Sequence, residues 1–157
     1  MFQDDGRFTC ALRALEQRDF FAADRGFSEA LAGNRLSSAE RAFALNKRGV
    51  ARVGLGQRDL ARADFSAALE AAPRFAPALA NLGNLLLDAD DVDAAIEHYE
   101  SAIAADPDYA VAYLNLSVAY KRCGRIADAV RAMRRSQRIE ARAAASAASF
   151  WRLARRR

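Results

Sequence analysis

Apolar and polar positions in the central part of the chain repeat with a period of 34 residues. The stretch ANLGNL at 80–85 has a near copy, LNLSVA, at 114–119. Three successive sets of large, small and proline positions follow this spacing: Leu45, Gly49, Ala61, Phe65, Ala68 and Pro73; Leu79, Gly83, Ala95, Tyr99, Ala102 and Pro107; and Tyr113, Ser117, Ala129, Met133, Ser136 and Ala141. A fixed period of this length predicts a stack of similar structural units.

The pattern within each unit predicts two antiparallel helices joined by a turn. Small residues at the eighth and twentieth positions, such as Gly83 and Ala95, let the two helices approach closely. Gly56 and Gly124 are predicted to end a first helix in the left-handed conformation, and the late prolines to stop the second helix.

An irregular unit precedes the regular ones. Ala23, Phe27 and Ala30 repeat the spacing of a second helix, but at a distance of 38 residues from the next unit. The extra residues relative to the period of 34 predict a loop at 33–36. Ser37-x-x-Glu40 has the pattern of a capping box, which predicts the start of the next helix there.

The chain is therefore predicted to form one domain. This domain spans residues 1–157. Its expected parts are a degenerate repeat at 4–37, repeats at 42–75, 76–109 and 110–143, and a basic C-terminal helix at about 139–155. With no proline or glycine after Gly124, the second helix of the last unit is expected to run on to the C-terminus, with one break near 140–143. Ile139, Ala143 and Ala147 recur at helical spacing, so we expect the last helix to cover the exposed face of the final repeat.

These residues resemble the tetratricopeptide repeat, whose pattern of large residues, Leu-Gly, Ala-x-x-x-Phe and a late proline has the same period. The resemblance covers about residues 4–141 and is strong from 42 to 136. It implies an all-α fold, a right-handed αα superhelix (solenoid) of about 3.5–4 helical hairpins plus a C-terminal capping helix.

Composition agrees with a helical, globular chain. Of 157 residues, 52% are hydrophobic, and only 8 are glycine and 3 proline, which is few for a protein of many short strands. The start, MFQDDGRFTC, lacks the pattern of a signal peptide, and no apolar run reaches the length of about 18 residues that a membrane span needs. Together with two distant cysteines, these features favour a cytoplasmic location.

The sequence contains no recognisable catalytic constellation. His98, Cys10 and Cys123 have no partner in sequence for nucleophilic or metal chemistry, and are expected to be ordinary helical residues. The acidic turn at 88–93 lacks the glycine and glutamate of a calcium loop. We therefore expect no enzymatic activity, no cofactor and no metal.

The resemblance implies that the first helix of each unit lines a concave groove. The expected partner-binding residues are Phe43, Asn46, Lys47, Val50, Asn81, Asn84, Leu87, Asn115, Val118, Lys121 and Arg122, with Val53, Ala80 and Leu114 around them. Evenly spaced amides suit the donors and acceptors of an extended peptide. The other interpretation is that these asparagines bridge neighbouring helices or water. Of the clamp that some relatives use for peptide carboxylates, Lys47 and Asn81 are in place, but Pro77 and Val111 interrupt it.

Charge divides the chain into an acidic body and a basic tail. Residues 1–120 hold 12 Lys and Arg against 18 Asp and Glu, a net charge of −6, whereas residues 121–157 hold 12 against 2, a net charge of +10. The basic tail comprises Arg134, Arg135, Arg138, Arg142, Arg152 and Arg155. It is interpreted as a solvated capping helix, as a contact for an acidic protein or for the acidic body of another copy, or as a contact for nucleic acid or anionic membrane.

The function favoured by the sequence is a non-enzymatic protein–protein interaction module, an adaptor, scaffold or assembly factor. It would bind a peptide or a helix of a partner protein in the concave groove. Homo-oligomerisation stays open. The alternative is a recruitment module whose arginine-rich helix contacts nucleic acid, anionic membrane or an acidic protein; nucleic acid and membrane are favoured less than protein.

Overall fold

The computed structural model describes residues 6–33 and 36–154, and within them it contains eight α-helices and no strand. The helices are α1 (Arg7–Glu16), α2 (Phe20–Ala32), α3 (Ser38–Gly54), α4 (Arg58–Ala71), α5 (Ala76–Asp88), α6 (Val92–Ala105), α7 (Ala110–Arg122) and α8 (Ile126–Ala154). They pack as four antiparallel pairs, and each pair packs on the next. The predicted all-α solenoid is confirmed.

The turn inside each pair uses one left-handed residue at the same place. Gly56 and Gly124 have φ of 74° and 77°, as their positions predicted. The equivalent residues in the other two pairs are Arg18 and Asp90, with φ of 61° and 66°, although neither is a glycine. Turn geometry is therefore shared by all four pairs even where the residue type does not favour it.

Helix starts agree with the local sequence signals. Ser37 and Glu40 form the predicted capping box, in which the Ser37 hydroxyl accepts from the Glu40 N–H and the Glu40 carboxylate accepts from the Ser37 N–H. Asp19 and Asp91 cap α2 and α6 by accepting backbone N–H groups of the first turn. Asn34 and Arg35, in the predicted loop, lie outside the described residues.

Close packing within a pair depends on a glycine in the first helix and an aromatic ring in the second. A Cβ at Gly49 would lie 2.5 Å from the Phe65 ring, and a Cβ at Gly83 would lie 2.6 Å from the Tyr99 ring. Both rings are fully buried. Gly49 and Gly83, which were predicted to face Ala61 and Ala95, thus also make room for the aromatic rings of Phe65 and Tyr99 on the second helices.

A buried ionic network joins α2, α3 and α4. Arg48 binds both carboxylate oxygens of Asp64, at 2.6 and 2.9 Å, and Arg52 donates to the same carboxylate at 2.9 Å and to Asp24 at 2.8 Å. Only 4% of the Asp64 side chain is exposed. A buried carboxylate needs such cationic partners. Because Asp24 belongs to the first pair and the other three residues to the second, the network also links two repeats.

The C-terminal segment differs from the prediction. The second helix of the last pair runs on as predicted, but no break occurs near 140–143, so the basic helix expected at about 139–155 is the continuation of α8. Ile139 is buried, but residues 140–148 are all exposed, including Ala143 and Ala147. Without a proline or glycine after Gly124 the helix has no place to turn back, so this stretch projects from the stack instead of capping it.

Gly83→Ala tests the close packing of α5 on α6. The new methyl group would displace the Tyr99 ring, and we expect overpacking to lower the free energy of unfolding by about 1–2 kcal/mol despite the better helix propensity of alanine. The matched control is Gly33→Ala, where a Cβ would meet only the Ala30 oxygen at 3.5 Å. Urea denaturation measures both, and equal stability of the two variants would contradict the packing account.

Candidate functional site: the concave surface

The first helices of successive pairs lie against one another along one side of the stack. α5 contacts both α3 and α7 directly. Helices that touch their equivalents in neighbouring repeats line the inner side of a curved solenoid. The predicted groove residues all lie on these three first helices, and their placement on one concave surface stays a prediction.

The asparagines on this surface are paired across repeats. The Asn81 side-chain amide donates to the Asn46 oxygen at 2.9 Å, and the Asn115 amide donates to the Asn84 oxygen at 2.9 Å. Asn46 is itself buried. These bonds support the interpretation in which the asparagines bridge neighbouring helices, whereas their contact with a partner stays a prediction.

A second hydrogen bond, from α6, holds the side-chain amide of Asn84 in place. The Tyr99 hydroxyl donates to the Asn84 oxygen at 2.8 Å, so this oxygen accepts from both α6 and α7. Burial, together with the charge of Asp88, raises the pKa of Tyr99 to about 12. The phenol therefore keeps its proton and acts as a donor at neutral pH.

Several apolar residues of the first helices are exposed. Val111, Leu114 and Val118 follow one another along α7 at helical spacing and are all exposed, as is Val53 on α3. Val50 and Leu87 are half-buried, and Ala80, which was expected to border the groove, is in the core. An exposed apolar strip on a first helix is the property that a peptide-binding groove requires.

The cations of the surface differ in what they contact. The Lys47 ammonium lies 5.1 Å from the centre of the Phe43 ring. Arg122 donates to the Leu87 carbonyl and to Asp90, both at 2.6 Å, and so ties α7 to the turn of the preceding pair. Lys121 is exposed and lines a cavity between α7 and α8.

The basic residues of α8 lie outside this groove. Arg134, Arg135 and Arg138 are exposed, and the Arg135 guanidinium lies 5.8 Å from the centre of the Tyr113 ring. Arg142 pairs with Asp108 at 2.6 Å, where both side chains are exposed. The Arg152 side chain and Arg155 lie outside the described residues.

The histidine and the two cysteines of the chain have the surroundings of ordinary helical residues. His98 is half-buried with Nδ1 3.0 Å from the Ala94 carbonyl of its own helix. Cys10 and Cys123 are free thiols and are exposed. Among the described side chains, no three or more of the His, Cys, Asp and Glu types gather as a metal site would need. None of the helices described has the combined length and apolar character required to cross a membrane.

Comparisons of sequence and structure point to a single family. Sequence models of the tetratricopeptide repeat match residues 46–110 and 86–149. Among solved structures, the chain is similar to MamA (TM-score 0.70, 21% identity, covering 88% of this chain and 78% of that one). It is also similar to BtubC from P. vanneervenii (TM-score 0.72, 24% identity, covering 86% of this chain and 62% of that one). A third similar structure is the second repeat domain of Spaghetti (RPAP3) bound to the HSP90 peptide SRMEEVD (TM-score 0.60, 19% identity, covering 64% of this chain and 88% of that one).

Asn81→Ala tests the bridging role of the asparagines. Removal of the amide leaves the buried Asn46 oxygen without its donor, and we expect the free energy of unfolding to fall by about 1–3 kcal/mol. The control is Lys121→Ala, an exposed position on α7 where the expected change is within about 0.5 kcal/mol. A cycle with Asn46→Ala should show coupling between Asn46 and Asn81. Additive effects in thermal or urea unfolding would contradict the bridge.

Proposed function

The chain belongs to the tetratricopeptide-repeat family, and we propose that it is a non-enzymatic protein–protein interaction module that holds a peptide or a helix of a partner protein in its concave groove. The observation that carries the proposal is the two-sided apolar character of α7. Ala112, Leu116 and Ala119 are buried in the core that α7 shares with the preceding pair, whereas Leu114 and Val118 are exposed. A helix with apolar residues on both sides is expected to be covered on both.

The likeness to a solved repeat domain that holds a peptide supports the same function. Because the asparagines are paired with each other, we expect apolar contacts, and not amide hydrogen bonds, to dominate the binding of a peptide. Because they already bond to each other, we expect Val111, Leu114 and Val118 to supply most of the affinity and the asparagines to keep the first helices in register. Lys47 and Lys121, at opposite ends of the surface, would orient carboxylates of the bound segment.

Selection from a displayed random-peptide library tests this function without knowledge of the natural partner. Peptides that bind the wild-type chain should bind Leu114→Glu at least about tenfold more weakly, because a charge would replace the centre of the apolar strip. They should bind Leu60→Glu unchanged, since Leu60 is at least as exposed as Leu114 but lies on the second helix α4. Fluorescence anisotropy with the selected peptides measures both.

Equal binding to wild-type and Leu114→Glu would contradict the groove proposal. The double variant Asn81→Ala with Asn115→Ala then separates the two roles of the asparagines. If affinity per folded molecule stays at the wild-type value while stability falls, the asparagines only bridge helices; if affinity falls as well, they also contact the peptide.

The projecting part of α8 favours a second candidate function, recruitment to a polyanion or an acidic protein. Residues 140–148 are all exposed, with Arg142 paired to the exposed Asp108, and arginines precede and follow them in the sequence. We expect binding of this kind to fall steeply as salt rises and to disappear when residues 140–157 are deleted. Titrations against anionic vesicles and against single- and double-stranded nucleic acid measure it, and binding that survives the deletion would exclude the role.

A further inference from the structure

The last helical pair has an apolar surface at the open end of the stack, here called the end face. It borders an open cavity of about 570 Å³ between α7 and α8. Its apolar residues are Val118, Ile126, Val130 and Met133, of which Val130 is 43% and Met133 36% exposed. Within the described residues no helix packs over this surface, because α8 continues outward beyond Ile139.

The same surface occurs inside the stack, where it is covered. The residues 34 positions before Val130 and Met133 are Ile96 and Tyr99, which are only 8% and 0% exposed. The element that covers them is α7, whose Leu116 and Tyr120 pack in the same core cluster. The end face is therefore a surface whose internal copy accepts a helix, with residues spaced like Ala112, Leu116, Ala119 and Tyr120.

The internal junction also shows what charge the occupant should have. At that junction the Tyr120 hydroxyl of the incoming helix donates to the Glu100 carboxylate at 3.0 Å. The residue equivalent to Glu100 on the end face is Arg134, so the acceptor is replaced by a cation. A second cation, Lys121, replaces Leu87 at the other side of the cavity. An incoming helix should therefore carry a carboxylate where α7 carries Tyr120.

Charge disfavours a second copy of this chain as the occupant. Head-to-tail stacking would present α1, whose residues equivalent to Leu116, Ala119 and Tyr120 are Cys10, Arg13 and Ala14. At these positions α1 offers no large apolar residue, and it places the exposed Arg13 near Lys121 and Arg134. Two end faces packed together would oppose Arg134 and Lys121 of one copy to those of the other.

We propose that the end face is a second docking surface, which takes an acidic amphipathic helix of a different protein in the way that the third helical pair takes α7. The helix would place two or three apolar residues on Val130 and Met133 and a carboxylate on Arg134. This surface shares Val118 and Lys121 with the proposed groove but includes neither Leu114 nor the asparagine pairs. Met133→Glu and Leu114→Glu therefore test the two surfaces separately.

The probe is a helix-stabilised, fluorescently labelled peptide of residues 108–120 of this chain carrying Tyr120→Glu, with a matched peptide carrying Tyr120→Lys. Anisotropy titrations should show the glutamate peptide binding the wild-type chain at least about tenfold more tightly than the lysine peptide. Arg134→Glu in the chain should reverse that order. Met133→Glu should weaken both peptides at least about tenfold, whereas Leu114→Glu should leave them unchanged.

Several results would overturn the proposal. These are the absence of binding by both peptides, equal binding of the two, an order that Arg134→Glu does not reverse, and loss of binding with Leu114→Glu but not with Met133→Glu. A dimer in sedimentation that Met133→Glu dissociates would assign the end face to a second copy instead. Circular dichroism controls for folding; if Arg134→Glu does not fold, Arg134→Ala should abolish the discrimination between the peptides.

Discussion

A single helical pair cannot bury both of its apolar sides, and this constraint determines most of the molecule. Within a pair, Gly83 lets the Tyr99 ring lie against α5, but the ring is fully buried only because α7 packs over it. Each pair therefore depends on the following one for its core. The dependence ends at the last pair, where α8 continues into solvent and the equivalent surface is exposed.

Polar side chains hold the pairs in register where apolar packing alone would not. Asn46 with Asn81, and Asn84 with Asn115, connect successive first helices, and Arg122 reaches back to the preceding turn. Between the first two pairs, Arg52 of α3 takes over part of this role by donating to Asp24 of α2. Because the asparagines are engaged in this way, the exposed apolar strip of α7 becomes the stronger basis for recognition in the groove.

The fold could be predicted from sequence because its determinants are local or periodic. The 34-residue spacing located the helices, and Gly56, Gly124 and Ser37 marked turns and a helix start that the structure confirms. The pairing of asparagines was not predictable, since an asparagine on a first helix can bond to a partner or to a neighbouring helix, and only the register of the stack decides. The direction of α8 was missed for a related reason: alanine-rich sequence predicts a helix but not what it packs against.

The most direct measurement is the map of backbone amide chemical-shift changes when a selected peptide binds the ¹⁵N-labelled chain. The account predicts that groove-bound peptides perturb α3, α5 and α7, with the largest changes around Leu114 and Val118, and leave α2, α4 and α6 nearly unchanged. Perturbations confined to α4 and α6 would contradict it, because they would place recognition on the second helices and leave the apolar strip of α7 without a role.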